Sequence, residues 1–450
     1  VYDTENQDQL SLFNLGQAEG MGSVGDSLYF GLYPKARISG WDTNSAMPED
    51  GPSFLFEIGD QQDRPFVLEE GAGKLLIGTI PGYSEHGGAL TIYDPKASQD
   101  TNQPVFEIYR NIVENQSMAG LAYKDGIVYG STTIHGGLGA EPITQKAKLF
   151  AWDMETKTKI KEWELELDGL SNTVPMISGL TAGPDGLVWG AANGFVFAFN
   201  PQTYEIIKSK NVYPEVTNYG RWRPIKQHWG VDGLLYTNVG GTLTVIDPDT
   251  MASKILAENV SLFALNNNND IYFAQATKVM KRLAEQPKNL TFMIPEVLTV
   301  DTPADILVEA DLYGWTVDVT GKAEIISSNP EIASVEEGRL IPKKAGQITI
   351  TGSFMGVSLP PQEIIVKNPE PVQSYLKVIN NSFEQVDPAG EIDGWSLLKG
   401  KKRGSSFSTT EKAHTGQRSL KLVDGTTNGK TEYQSDLILI EPGREYTAGV

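Results

Sequence analysis

Asp125-Gly126-Ile127-Val128-Tyr129-Gly130 is the stretch that decides the fold. An Asp-Gly pair between β-rich runs favours a tight hairpin, because both turn residues take positive φ. The apolar run after it, ending in glycine, reads as the second strand of that hairpin. The phrase returns along the chain. Gly25-Asp26 precedes Leu28-Tyr29-Phe30-Gly31, Gly73 precedes Leu75-Leu76-Ile77-Gly78, and Asp185-Gly186 precedes Leu187-Val188-Trp189-Gly190. Asp232-Gly233 before Leu234-Leu235-Tyr236 and Asn269-Asp270 before Ile271-Tyr272-Phe273 complete six copies.

A third strand closes most copies at an aromatic or aliphatic residue followed by Asp or Asn: Asp42, Asp94, Asp153, Asn200 and Asp247, 47 to 59 residues apart. Fourth strands are expected near Phe54 to Ile58, Val105 to Tyr109, Lys161 to Leu167, Tyr204 to Lys208 and Lys254 to Leu256. Four short strands every 40–50 residues or so is the period of a β-propeller blade. A β-sandwich of similar strands is the alternative, but a phrase repeated six times in one order favours the propeller. Six blades are readable in residues 1–285. The sixth shows no fourth strand, and Leu10 to Leu15 could supply it.

The chain has 450 residues, 40% hydrophobic, with 37 basic against 57 acidic side chains and a formal net charge of −20. Such a surface repels phosphate backbones and anionic lipid, so nucleic-acid partners are not expected. No apolar run approaches a membrane span, so no membrane insertion is expected in this segment. With no cysteine, disulfides, thiolate metal sites and cysteine nucleophiles are excluded. Four histidines remain: His86, His135, His228 and His414.

With strands A to D running alternately up and down, the B–C loops and the D-to-next-A connections share one face. The long B–C loops carry Tyr33 and Arg37 in blade one, Tyr83, Glu85 and His86 in blade two, and His135 and Glu141 in blade three. The D–A connections add Arg64 and the run Arg221-Trp222-Arg223. In an acidic protein this gathering of Arg, His, Tyr and Trp suits an anionic or sugar ligand. Arg pairs with carboxylates and aromatic faces stack on rings. The expected ligand-binding set is therefore Tyr33, Arg37, Arg64, Glu85, Arg221, Trp222 and Arg223. The catalytic candidates are His86, His135 and Tyr83, as groups able to move a proton beside an Arg clamp. At the level of the fold this face is similar to that of propeller lyases acting on uronate polymers, without matching a lyase motif.

Ser327-Ser328-Asn329-Pro330, Ala333-Ser334-Val335, Gly338 and Ala345-Gly346-Gln347-Ile348-Thr349-Ile350 follow the propeller. Residues 288–367 thereby resemble the bacterial immunoglobulin-like group 2 module, which implies a small sandwich stable without a disulfide. The alternation of Ile348, Ile350, Ile364 and Val366 points to one buried face. After Pro369-Glu370-Pro371, residues 376–450 carry Asn380-Asn381-Ser382-Phe383-Glu384, Gly394-Trp395, Ala413-His414-Thr415-Gly416 and Pro442-Gly443. This resembles a carbohydrate-binding module of the cellulose-binding jelly-roll type. The resemblance implies a structural calcium near Glu384, with Asp424 a weaker candidate. His414 and Trp395 would be framework positions. The jelly roll stops early and the chain starts mid-pattern at Val1, so a piece of a longer protein is expected.

The expectation is an all-β chain: a propeller, an immunoglobulin-like sandwich and a partial jelly roll. Its expected role is polysaccharide binding at or outside the bacterial surface, as a monomer requiring no cofactor. A propeller lyase or glycoside-acting enzyme, and a protein-interaction scaffold, are the alternatives.

Overall fold

The computed structural model describes residues 2–3, 8–9, 14–46, 48–217, 221–223, 225–369, 378–399, 406–413, 415–422 and 432–440. It divides into two compact units, Val1–Asn368 and Pro369–Val450. The expectations for Leu10 to Phe13, His414, Asp424 and Glu441 to Val450 fall outside the described residues.

After the antiparallel pair Tyr2–Asp3 and Asp8–Gln9, the first unit runs through six antiparallel sheets in sequence order. Blade one is Gln17–Val24, Ser27–Tyr33, Arg37–Asp42 and Ser53–Glu57. Blade two is Gln62–Gly71, Lys74–Pro81, Ala89–Tyr93 and Phe106–Arg110. Ser117–Lys124, Ile127–Thr133, Lys148–Asp153 and Thr158–Glu164 form blade three. Blade four comprises Ile177–Ala182, Val188–Ala192, Phe195–Phe199 and Ile206–Asn211. Blade five comprises Gln227–Trp229, Leu235–Thr237, Leu243–Ile246 and Ser253–Ala257. The sixth has three strands among the described residues: Val260–Leu265, Ile271–Gln275 and Lys278–Arg282. This repetition of radial antiparallel sheets is a β-propeller.

The turn phrase works in two ways. In blade three Asp125 and Gly126 have φ of 50° and 85°, and Lys124 pairs with Ile127 across a two-residue turn. Blades one and two turn equally tightly. Blades four and five do not: Ala182 pairs with Val188 and Trp229 with Leu235, so their turns are wider than the minimal hairpin the sequence predicts. There the Asp side chain braces the loop. Asp185 accepts from the Leu187 amide and the Trp189 indole, and Asp232 from the Leu234 amide and the Tyr236 hydroxyl. The glycine within the B strand of blades one to four makes room for a neighbour. A Cβ on Gly130 would lie 2.0 Å from the Phe150 ring.

One element departs from the strand pattern. Pro95–Thr101 is a short helix between strands C and D of blade two, where the sequence suggests a polar turn. Asp94 caps it, accepting from the Ala97 amide at 2.9 Å, and Pro95 sits where a missing N–H costs nothing.

Strands from residues 288–367 form three further sheets, one of them Val297–Thr299, Val357–Lys367, Gly346–Phe354 and Glu324–Ser327 in spatial order. Ile348, Ile350, Ile364 and Val366 are buried as their alternation predicts, with Ile348 directly opposite Ile364. Their core is continuous with that of blades five and six: Tyr236, Val245, Phe263 and Ile271 belong to the same apolar cluster as Val308, Leu312, Ile350 and Leu359. The sandwich meets the side of the propeller that carries the A–B turns. Lys254 donates to the Tyr313 carbonyl at 3.0 Å, and the Tyr236 and Tyr313 hydroxyls are hydrogen-bonded.

In the second unit Trp395–Lys399 pairs with Glu432–Ser435, and Ser406–Thr409 with Ser419–Leu422. Trp395 is tied down by its indole N–H to the Ile379 and Asn380 carbonyls, with the Phe383 ring 5.1 Å away. No helix among the described residues is long and apolar enough to cross a membrane.

Candidate functional site

The site begins with a backbone irregularity. In blades one, two and three the innermost strand loses register at Glu19, Phe66 and Ala119. A bulge turns an extra side chain out of the ladder and re-aims it. Phe66 and Ala119 join Ile80 and Met176 in a small apolar cluster, and Trp222 packs onto it. Trp222 belongs to the connection from blade four to blade five. That connection therefore folds back over residues of blades two, three and four. The Trp222 indole nitrogen is buried without a partner.

Around Trp222 stands a ladder of rings and guanidinium groups. The Arg64 guanidinium lies 4.1 Å from the centre of the Tyr33 ring and 5.0 Å from that of Trp222. It is also ion-paired to Glu19, and both side chains are largely buried. The Tyr33 and Tyr83 hydroxyls are 3.3 Å apart, and Tyr83 is 60% exposed. This hydrogen bond, with burial second, holds the Tyr33 phenol above its usual range. The Arg221 guanidinium lies 5.5 Å from the Trp222 ring. Cations over aromatic faces are attracted by the ring quadrupole. Tyr83, Tyr33, Arg64, Trp222 and Arg221 thus form one contiguous series from blades one, two and the long connection. Arg223 is exposed. Arg37 donates to the Tyr33 carbonyl at 3.4 Å.

The two histidine loops interlock. The Gly137 amide donates to the Glu85 carbonyl at 2.9 Å, and the Ser84 amide to the Leu138 carbonyl at 3.0 Å. A Cβ on Gly137 would sit 1.7 Å from the Gly82 carbonyl oxygen, so the glycines after His135 serve close backbone approach. His86 Nε2 is 2.9 Å from the Glu141 carbonyl, which accepts only, so this nitrogen carries the proton. His86 also packs beside Gly136, the residue that follows His135. His135 is half-buried with Nδ1 unpartnered. Burial first, and Arg221 second, hold it below the usual histidine range, against the pull of Glu141. It is a neutral imidazole at pH 7.

Arg110 organises this region, although the sequence reading passed over it. At the end of strand D in blade two it donates to Gln61 Oε1 at 2.5 Å and to the His86 carbonyl at 3.3 Å, and lies 3.6 Å from Glu85. Its place just before a D–A connection was the available signal. An open cleft of about 370 Å³ beside it is lined by residues including Lys35, Gln61, Asp63 and Glu85. Other titratable groups were missed too: half-buried Glu69 and Lys226 and exposed His228 come from or adjoin the innermost strands of blades two and five.

At Glu384 one carboxylate oxygen accepts from the Gln417 and Arg418 amides, at 2.7 Å each. Among the described residues no group of three or more His, Asp or Glu side chains is placed to hold a metal.

No family model matches the chain, and no curated protein does. Solved structures resemble it at low identity. The WD40 propeller of Doa1 is 13% identical, with a TM-score of 0.42, over 61% of this chain and 81% of that one. The surface component PorZ of the type-IX secretion system of Porphyromonas gingivalis is 12% identical, with a TM-score of 0.41, over 77% of this chain and 51% of that one. An extracellular domain described as that of a one-component system from B. thetaiotaomicron is 12% identical, with a TM-score of 0.41, over 79% of this chain and 57% of that one. Similarities of this size carry no functional argument.

Proposed function

We propose that this propeller protein binds an acidic polysaccharide outside the bacterial cell, on the series Tyr83–Tyr33–Arg64–Trp222–Arg221. The supporting observation is that series itself: exposed Tyr83 and Arg221 at its ends, and rings held between cations along it. Uronate units suit it, since their rings stack on aromatic faces while their carboxylates pair with Arg. The extracellular setting is supported by the resemblance of residues 288–367 and 376–450 to modules of secreted bacterial proteins. The test is affinity electrophoresis of the full chain in gels holding polygalacturonate, alginate or a neutral β-glucan. Retardation by an acidic polymer, weakened at least tenfold in Trp222→Ala and Tyr83→Ala, is expected. Equal retardation of wild type and both variants would place binding elsewhere, and no retardation by any acidic polymer overturns the reading.

A second reading, lyase action, draws on one observation. His135 presents a neutral imidazole with an unpartnered Nδ1 in the field of Arg221. A base beside a cation is what removal of a proton next to a uronate carboxylate needs. Its test is the ultraviolet absorbance of an unsaturated product, present in wild type and absent in His135→Ala.

A further inference from the structure

The cleft of about 370 Å³ has lining residues that include Lys35, Glu57, Gln61, Asp63, Gly82 and Glu85. Its walls continue the segments that carry the aromatic and cationic series. Lys35 follows Tyr33 by two residues, Asp63 precedes Arg64, and Gly82 precedes Tyr83. Hydrogen bonds tie these segments together. The Lys35 amide donates to Asp63 Oδ1 and the Gly82 amide to the Gln61 carbonyl, both at 2.7 Å. Arg110 joins them, donating to Gln61 Oε1 at 2.5 Å and lying 3.6 Å from Glu85. Lys35, Gln61 and Ser84 hold φ of 68°, 58° and 61°, a left-handed backbone that persists where the surroundings fix it. The shape of the cleft is thus set by the backbone rather than by adjustable side chains.

The lining offers donors and acceptors together. Neither the Lys35 ammonium nor the Glu57 carboxylate has a hydrogen bond or an ion pair with any described residue. Gln61 gives its oxygen to Arg110, which leaves its amide N–H groups as donors. Asp63 has one oxygen on the Lys35 amide and a second with which to accept. A uronate carboxylate only accepts, and in this cleft it would meet Glu57, Asp63 and Glu85. A sugar hydroxyl donates and accepts at once. We propose that the cleft takes an uncharged sugar unit next to a uronate seated on the series, so that the ligand is a mixed polymer and not a run of uronates. This rests on the reading of the series as the seat of an acidic polysaccharide. The carboxylates of Glu57 and Asp63 accept from the hydroxyls of the uncharged unit, and Lys35 and Gln61 donate to its oxygens. The volume, at the small end for ligand clefts, suits one such unit.

The experiment is affinity electrophoresis of the full chain in gels holding hyaluronan or gellan, which mix glucuronate with uncharged sugars, or polygalacturonate, which does not. Tighter binding of a mixed polymer is expected, by about tenfold, the weight of one hydrogen bond to a charged group. Glu57→Ala and Lys35→Ala should each reduce that preference and leave retardation by polygalacturonate unchanged. Both side chains are exposed and unpartnered among the described residues, so these variants keep the fold. Equal retardation by all three polymers, or by polygalacturonate alone, overturns the inference and leaves the acidic-polymer reading standing. So does a preference that neither variant lowers. Retardation by none of the three overturns both.

Discussion

The hydroxyl groups of Tyr236 and Tyr313 meet at 3.0 Å, one from the fifth blade and one from a hairpin turn of the sandwich. Tyr236 also donates to the buried Asp232 carboxylate at 2.6 Å, and the Asn269 amide reaches the same oxygen at 2.9 Å. A polar knot therefore sits inside the apolar cluster that blades five and six share with the sandwich. Its members are high-stakes, because each group left without its partner keeps its full desolvation cost.

Tyr236→Phe is expected to destabilise the chain by about 1–3 kcal/mol, the cost of an abandoned buried acceptor. Tyr313→Phe should cost less, about 1 kcal/mol, because Tyr236 keeps its bond to Asp232. Urea denaturation of both variants checks the order. A larger effect of Tyr313→Phe would contradict the arrangement.

Gly137→Ala is expected to unlatch the two histidine loops, since its Cβ would collide with the Gly82 carbonyl. The cost is about 1–3 kcal/mol, as for other overpacked positions. Gly126→Ala is a control: open space surrounds it, so only its positive φ is penalised, at roughly 1 kcal/mol. Thermal melting separates the two.

Glu69 gives a pH signature. Burial raises its carboxyl from 4.5 to about 7, despite the nearby Lys226. The folded state thus holds a proton that the unfolded chain has released between those values. Its contribution is fully present below pH 4.5 and is lost as pH rises through 7. Glu69→Gln should therefore gain on wild type as pH increases across that window, by about 1–3 kcal/mol. Denaturation at pH 5 and pH 8 measures the gain, and a difference of opposite sign would refute it.

Arg64→Ala should leave the largely buried Glu19 without its cation and with only the Gln17 side-chain amide as donor, at a cost of about 1–3 kcal/mol. It also removes the cation between the Tyr33 and Trp222 rings, so polymer retardation should fall with stability. Adding Glu19→Gln is expected to restore much of the stability but not the retardation. Urea denaturation and affinity electrophoresis of the single and double variants follow the two separately.

The repeat was legible because each blade reuses one local solution. Asp125-Gly126 needs only its own φ angles to turn the chain, and Ile127-Val128-Tyr129 needs only a pleated, half-buried surface. The shared face of Tyr33, Tyr83, Arg64, Trp222 and the histidine loops followed from strand direction alone. Whether Asp185 and Asp232 make a tight turn or a brace depended on Trp189 and Tyr236 reaching back, so the wider turns did not show. Arg110 escaped notice because its role lies in carbonyls and side chains gathered from two distant segments, around Gln61 and around His86.

By itself, then, the sequence determined the strands, their order and the face that the long loops share, since these follow from alternation, turn chemistry and chain direction. Tertiary structure alone decided that Arg64 is held between two rings and bound to Glu19. It alone decided that the glycines after His135 lock one loop onto another, and that burial pushes the Glu69 carboxyl up and the Lys226 ammonium down. Those relations join residues dozens to more than a hundred positions apart. Their energies come from burial and distance, which no local pattern encodes.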